Sequence, residues 1–388
     1  SFNPNPLLAP DNFDAEGYAA ANTDLREAFD ITEGAELTDQ QKADLLSHFL
    51  AYGYAEDRKG VNESFADLVE AVNTIDVDAY FANNPTADSV LGSIADDTFV
   101  VNGEVANKTI DGLGGSNTVQ LGTEAATGSL AEDSALFLRN VEHIVVQGDA
   151  EVQSQRVADI ELGAEASGAT VQFAADAVAG SDTALNVKTA ANGAELTVNG
   201  VETVNVAATN AAAALVLNAN EASGETMNVN LSGGSKEGFA LTFESVASTS
   251  LTHLTIDGAK LNGALDLSFG GDQQVLNVKN LMVKGSAAEV DQDFSALAGL
   301  ITGTAEDGFT VTLEGGAGND TFEASTAIDS FTGAKGENVF NFTAGNSLVQ
   351  LADGKITATD TITDFAKDDV LTGVANLSIS TATGSVPE

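Results

Sequence analysis

Residues 315–323 read GGAGNDTFE, residues 324–332 read ASTAIDSFT, and residues 333–341 read GAKGENVFN. Set in nines, the sixth column holds Asp320, Asp329 and Asn338, and the eighth holds Phe322, Phe331 and Phe340. The first row has glycine at columns one, two and four (Gly315, Gly316, Gly318), and the third row has it at columns one and four (Gly333, Gly336). Glycine permits positive φ and close backbone approach, and such a turn exposes carbonyl oxygens. An aspartate beside them adds carboxylate oxygens, and calcium takes six to eight oxygen ligands. Two readings compete: a tight structural turn ahead of a strand, or a calcium-binding turn repeated along the chain. The in-phase columns favour calcium. Asn338 in place of Asp weakens the third row, and the middle row lacks glycine, leaving Asp329 a weaker ligand. A fourth row, FTAGNSLVQ, keeps Gly345 and Val349 before the pattern fades. Much earlier, GLGGSNTVQ from Gly112 repeats the turn with Asn117 in the acidic column and Val119 in the apolar one. The eighth column is expected to point into a core.

Other chemistry finds less support. The three histidines, His48, His143 and His253, are far apart in sequence and none lies in H-E-x-x-H, which argues against a zinc protease. GGSKEG from Gly233 has Glu237 where the second glycine of a G-x-S-x-G elbow belongs. No P-loop is present, and no tryptophan for a sugar platform. With 58 acidic residues, chance carboxylate pairs are inevitable and identify no glycosidase. No enzymatic activity is expected.

The 388 residues carry 58 acidic against 15 basic side chains, a formal net charge of −43. Such a chain repels nucleic acid and anionic surfaces at long range and attracts divalent cations. There is no cysteine, so neither disulfides nor thiolate metal sites arise. No run of 18 apolar residues is long enough for a transmembrane helix. The opening SFNPNPLLAP lacks a basic segment followed by an apolar one, so it is not read as an intact secretory signal.

The elements that must position these residues change character near residue 90. Before it, TDQQKADLLSHFLAYGYAEDRKG predicts a helix capped at Thr38, with Leu45, Leu46, Phe49, Leu50 and Tyr52 on a buried face and Gly53 as the stop. DNFDAEGYAAANTDLREAF predicts a second helical stretch, with Asp11 or Asn12 as cap, and IDVDAYFANNP reads as its partial copy. All four tyrosines lie in this part, together with Arg26, Lys42, Arg58 and Lys59. After it, short β-branched strands recur (DTFVV, HIVVQ, TVQF, LTVNGVETVNV, LVLN, MNVNL, LTHLTI, VLNV, FTVTL), punctuated by Gly, Asn, Asp and Ser. NVEHIVV and GVETVNV are close relatives 60 residues apart. No long helical pattern separates the strands, so a β-solenoid or stacked β-sandwich modules are expected. The chain is thus expected to be mainly β: a small helical domain (1–90), a β-rich domain (91–305) and a last region holding the nonapeptides and the C-terminal segment (306–388).

The nonapeptides resemble the G-G-x-G-x-D-x-U-x repeat of RTX proteins, a parallel β-roll that binds Ca²⁺. Each is half a coil there, so the resemblance implies an RTX-like calcium-binding β-roll in 306–388, with calcium on one edge only, between Gly315–Asp320 and Gly333–Asn338. ATDTITDFAKDDVL (358–371), with Asp360, Asp364, Asp368 and Asp369, resembles the segment that follows such repeats, although an acidic hairpin explains it equally well in isolation. FD-x-x-x-Y-x-x-x-N-x-D-L from Phe13 and HFLAYGYAEDRKG from His48 resemble a helical module of exported, calcium-dependent proteobacterial surface proteins. The VETVNV-type strands resemble surface-layer proteins of that group. The resemblance implies a secreted structural subunit that tiles the cell surface in a calcium-dependent S-layer lattice, exported by a type I apparatus. It also implies an attachment site at one end of the chain. We place that site in residues 1–90, binding surface polysaccharide or lipopolysaccharide through Arg26, Tyr52, Arg58 and Lys59. The alternative is an RTX-type adhesin or biofilm-matrix fibre subunit.

Overall fold

The computed structural model describes residues 13–53, 56, 58–61, 74–155, 157–174, 184–209, 211–220, 226–244, 251–270, 278–301, 303–342, 349–352 and 355–373. The chain is mainly β, with long parallel sheets. It divides into two compact units, Ser1–Ser223 and Gly224–Glu388, so the division falls inside the stretch expected to be one β-rich domain.

The first unit opens with helices Ala15–Ala21, Thr23–Ala28 and Asp39–His48. The first is capped by Asp14, whose carboxylate accepts from the Gly17 N–H at 2.8 Å. That corrects the expected cap at Asp11 or Asn12, which lie outside the described residues. The third has the expected cap: Thr38 accepts from the Gln41 N–H, and Gln41 accepts in return from the Thr38 N–H. Tyr18, Leu25, Leu45, Leu46 and Phe49 form its buried core. Tyr52 does not join them, being 62% exposed. The chain changes to a π-helical turn over Phe49–Gly53. Its i→i+5 repeat shifts the phase that a regular helix would give Tyr52. Leu50's side chain and Tyr54 lie outside the described residues.

The partial copy is also a helix, Val77–Asn83, with Asp76 as its cap. It does not precede the β structure but lies within it, between strands Thr74–Asp76 and Ser89–Leu91. From Thr74 the strands alternate between two parallel sheets, the topology of a β-solenoid or roll rather than of an antiparallel sandwich. One sheet of the first unit runs Thr74–Asp76, Thr98–Val101, Thr118–Leu121, His143–Val146, Asp159–Leu162, Ala184–Thr189, Thr203–Ala208. The other runs Ser89–Leu91, Thr109–Asp111, Leu136–Arg139, Glu151–Ser154, Thr170–Phe173, Asn192–Asn199, Ala214–Asn220.

Register explains why alternation recurs in every strand. Ile75, Phe99, Val119, Ile144, Ile160, Val187 and Val206 stack in one inward column. Leu136, Val152, Val171, Leu196 and Leu217 stack in a column of the other sheet. All are buried. Burying each such side chain contributes about 1.5–3 kcal/mol, and a one-residue slip would turn a column to solvent.

The second unit repeats the plan. Thr226–Gly233, His253–Leu261, Asn280–Lys284, Thr310–Glu314, Ile328–Thr332 and Thr361–Ile362 form one parallel sheet. Phe239–Glu244 pairs with Leu265–Phe269, and Thr321–Glu323, Val339–Asn341 and Val370–Thr372 form a third parallel group. Val349–Ala352 and Lys355–Thr359 make an antiparallel hairpin. Most of the FTAGNSLVQ row and most of VLNV fall outside the described residues.

Candidate functional site

The three nonapeptides form successive half-turns, as their columns require. Thr321–Glu323 and Val339–Asn341 pair in parallel 18 residues apart, with Phe322 opposite Phe340. Phe331, from the row between, stands in the other sheet. All three rings are fully buried, with Phe322 stacked 5.0 Å from Phe340 and 5.4 Å from Phe331.

The acidic column is buried too, and its side chains link one coil to the next. Asp320 Oδ2 accepts from the Gly316 N–H of its own turn at 2.7 Å, and Oδ1 accepts from the Gln292 N–H at 2.8 Å. The Asp320 N–H donates to Asn338 Oδ1 at 2.9 Å, and the Asn338 N–H donates to Asp369 Oδ1 at 2.9 Å. Asp369 Oδ2 closes its own turn on the Ala366 N–H at 2.7 Å. Residues 358 and 359 end the antiparallel hairpin, and 360–371 supply the next coil. Its Asp364 accepts from the N–H groups of Gly333 and Ala334, and its Asp360 accepts from that of Asp329. Asp329 is buried on strand Ile328–Thr332 of the other sheet, its oxygens accepting from the Ser325 N–H at 2.7 Å and the Ser325 hydroxyl at 2.9 Å.

The glycines serve close approach more than backbone handedness. Of Gly315, Gly316, Gly318, Gly333 and Gly336, only Gly336 has positive φ (95°). A Cβ on Gly316 would lie 1.9 Å from the Ser286 carbonyl oxygen, and one on Gly336 would lie 2.0 Å from that of Gly318.

The same ladder runs through the first unit. The Asp97 N–H donates to Asn117 Oδ1 at 3.0 Å, the Asn117 N–H donates to Glu142 at 2.7 Å, and the Asn117 amide donates to the carbonyls of Gly114 and Asn140. Sequence reasoning missed Asp97, although Asp-Thr-Phe at 97–99 repeats Asp-Thr-Phe at 320–322.

Calcium chemistry can be tested against these residues. Burial pushes the Asp320 carboxyl above the usual carboxylate range, against the two N–H bonds that lower it. Burial pushes Asp329 up to about 7, with the Asp360 charge adding to it. Among the described residues, neither has a cationic side chain as a hydrogen-bond partner. Each Asp320 oxygen accepts one backbone N–H and retains a lone pair. The carboxylate is a hard-oxygen donor of the type calcium takes, although both of its hydrogen-bond partners among the described residues are N–H groups. No cluster of three or more His, Asp or Glu suited to a metal occurs among the described residues. A cation here would rest on Asp320 and turn carbonyls of the Gly315–Gly318 and Gly333–Gly336 segments.

Arg26 lines a cleft of about 380 Å³ with Glu16, Glu33, Ile31 and Leu37; Tyr52, Arg58 and Lys59 do not line it. Its Nε donates to the Ala19 carbonyl at 3.0 Å, and its Nη1 lies 3.6 Å from Glu33. Arg58 is held between Asp24 and Glu56, each at 2.6 Å. Lys59 is exposed. Tyr52 stacks obliquely near His48, ring centres 5.7 Å apart. His48 accepts or donates to the Tyr18 hydroxyl at 3.0 Å, and burial lowers its pKa.

No family model, curated protein or solved structure matches this chain.

Proposed function

We propose that this protein is a structural subunit of a calcium-dependent surface layer, secreted and assembled from copies of itself outside the cell. The observation that carries the reading is the buried Asp320 carboxylate, in the glycine turn and without a cationic side-chain partner among the described residues, in a chain of net charge −43. Calcium bound there would stabilise the folded coil and reduce the repulsion that keeps acidic copies apart. Stacked parallel coils suit such a role, because their outer faces repeat polar columns at a fixed strand spacing. Attachment to anionic surface glycan would use the N-terminal helices. Arg26, Lys59 and exposed Tyr52 are its better candidates there, since Arg58 already serves two carboxylates.

Electron microscopy of the purified chain with and without millimolar calcium tests the reading. Sheets with two-dimensional order in calcium, but not in magnesium, are expected, because magnesium resists an irregular oxygen cage. A monomer at high protein concentration in calcium would reject it. Fibres instead of sheets would favour the adhesin or matrix-fibre alternative.

A further inference from the structure

We propose that Ser116, His143 and Asp159 form an acyl-transfer site on the outer face of the first unit, acting on small activated esters. The Ser116 hydroxyl lies 2.9 Å from His143 Nε2, and His143 Nδ1 lies 2.9 Å from Asp159 Oδ2. These are the contacts, on the proper ring nitrogens, by which a carboxylate fixes a histidine's tautomer and the histidine draws a serine proton. The solenoid register builds the arrangement. Thr118, His143 and Asp159 are direct partners on three adjacent strands, so histidine and aspartate stand side by side. Ser116 lies two residues before Thr118, in the turn after Gly114 and Gly115, where its N–H donates to Asp96 at 2.7 Å. Asp159 is held from its far side by the Asn186 amide, 3.1 Å from Oδ1. The three residues come from three coils, so no local motif announces them.

A second histidine on a comparable column shows what a purely structural ladder looks like. His253 meets the Thr252 hydroxyl through Nδ1 and the Asn280 amide through Nε2, both at 2.8 Å. Among the described residues no carboxylate orients it, and its Nε2 faces an amide instead of a hydroxyl.

In the reaction, Ser116 Oγ bonds to the ester carbonyl carbon while its proton passes to His143 Nε2, and the carbonyl electron pair moves onto oxygen. The tetrahedral species collapses, the ester C–O bond breaks, and the leaving oxygen takes the proton from Nε2. Water then attacks the acyl-serine, giving its proton to Nε2. Ser116 departs and recovers that proton, so the net change is ester plus water to acid plus alcohol. The Ser116 N–H is taken by Asp96 and cannot serve the developing oxyanion. Loss of one such donor costs about 10²–10³ in rate. The side chains of His143 and Asp159 are 38% and 46% exposed, so the site is open. Slow turnover of small phenyl esters is therefore expected, not proteolysis.

The full chain, incubated with a fluorophosphonate and digested for mass spectrometry, is expected to carry the label on Ser116. Hydrolysis of p-nitrophenyl acetate is expected to fall to the solution background in Ser116→Ala and His143→Ala. Asp159→Asn, nearly isosteric, is expected to slow acylation at saturating ester by at least about tenfold without raising KM, while His253→Ala leaves the rate unchanged. Label found elsewhere, or Ser116→Ala hydrolysing at the native rate with unchanged circular dichroism, would overturn the proposal.

Discussion

The backbone N–H of Asp320 donates to the side chain of Asn338 across 2.9 Å, from one coil to the equivalent position 18 residues on. The Asn338 N–H does the same to Asp369, 31 residues on. The link ignores how much chain intervenes, because the hairpin over 349–359 is accommodated within the longer excursion. Removing the acceptor should therefore loosen two coils at once. Asn338→Ala leaves the buried Asp320 N–H without a partner, which costs about 1–3 kcal/mol. Asn338→Asp keeps an acceptor and should cost less. Urea unfolding of the two variants checks the order, and equal midpoints would show that the ladder does not bind the coils.

Gly336 and Gly308 separate two reasons for glycine. Both have positive φ, 95° and 80°. A Cβ on Gly308 would meet nothing within 4 Å, whereas one on Gly336 would lie 2.0 Å from the Gly318 carbonyl oxygen. Gly308→Ala should lose only the left-handed penalty of about 1–2 kcal/mol. Gly336→Ala should lose more, because a neighbouring coil must shift. Thermal melts of both variants would settle the ranking.

Much of this was legible from the residues, and the misses have physical causes. The Phe column pointed inward as its period required, and Asp-x-x-x-Tyr-x-x-x-Asn proved a helix unit used twice. Asp14 and Asp76 each cap its start, and Asn22 and Asn84 close its end on the carbonyls of Tyr18 and Tyr80 at 2.8 and 2.9 Å. Tyr52 was misplaced because a π-helical turn has no signature in apolar spacing. The acidic 358–371 segment in isolation suits a solvated hairpin as well as the sequel to the repeats, because its partners, Asp329, Gly333 and Asn338, stand about one coil earlier. Ser116, His143 and Asp159 meet only through strand register, which no single stretch of sequence specifies.

Stability should fall between about pH 4 and 7 through Asp329. Its carboxyl is pushed from 3.8 in the unfolded chain up to about 7 by burial. The folded state then holds a proton that the unfolded state has lost, so rising pH favours unfolding over that window and has no further effect above it. Asp329→Asn removes the titration while keeping one acceptor for Ser325. On going from pH 8 to pH 5.5, the native chain should gain about 2 kcal/mol relative to the variant. Parallel denaturation curves in chelator at the two pH values measure the difference, and a constant gap would contradict it.

Calcium should raise the Tm of the second unit, and Asp320 should carry the effect. Its carboxylate is fully buried, its pKa is raised by that burial, and each oxygen already accepts one N–H. A bound cation would relieve the buried charge without breaking those bonds. At 100 times its dissociation constant, calcium would add about 2.7 kcal/mol. Asp320→Ala confuses two losses, since it also strips the acceptors from the Gly316 and Gln292 N–H groups. Asp320→Asn is the cleaner variant: it retains one acceptor and removes the charge. The diagnostic quantity is the Tm difference between calcium and chelator, which should shrink in Asp320→Asn and persist in Asn117→Ala, whose ladder lies in the first unit. A native melting curve unchanged by chelator would remove calcium from the account. It would leave the Asp320 column as a hydrogen-bonded clamp alone.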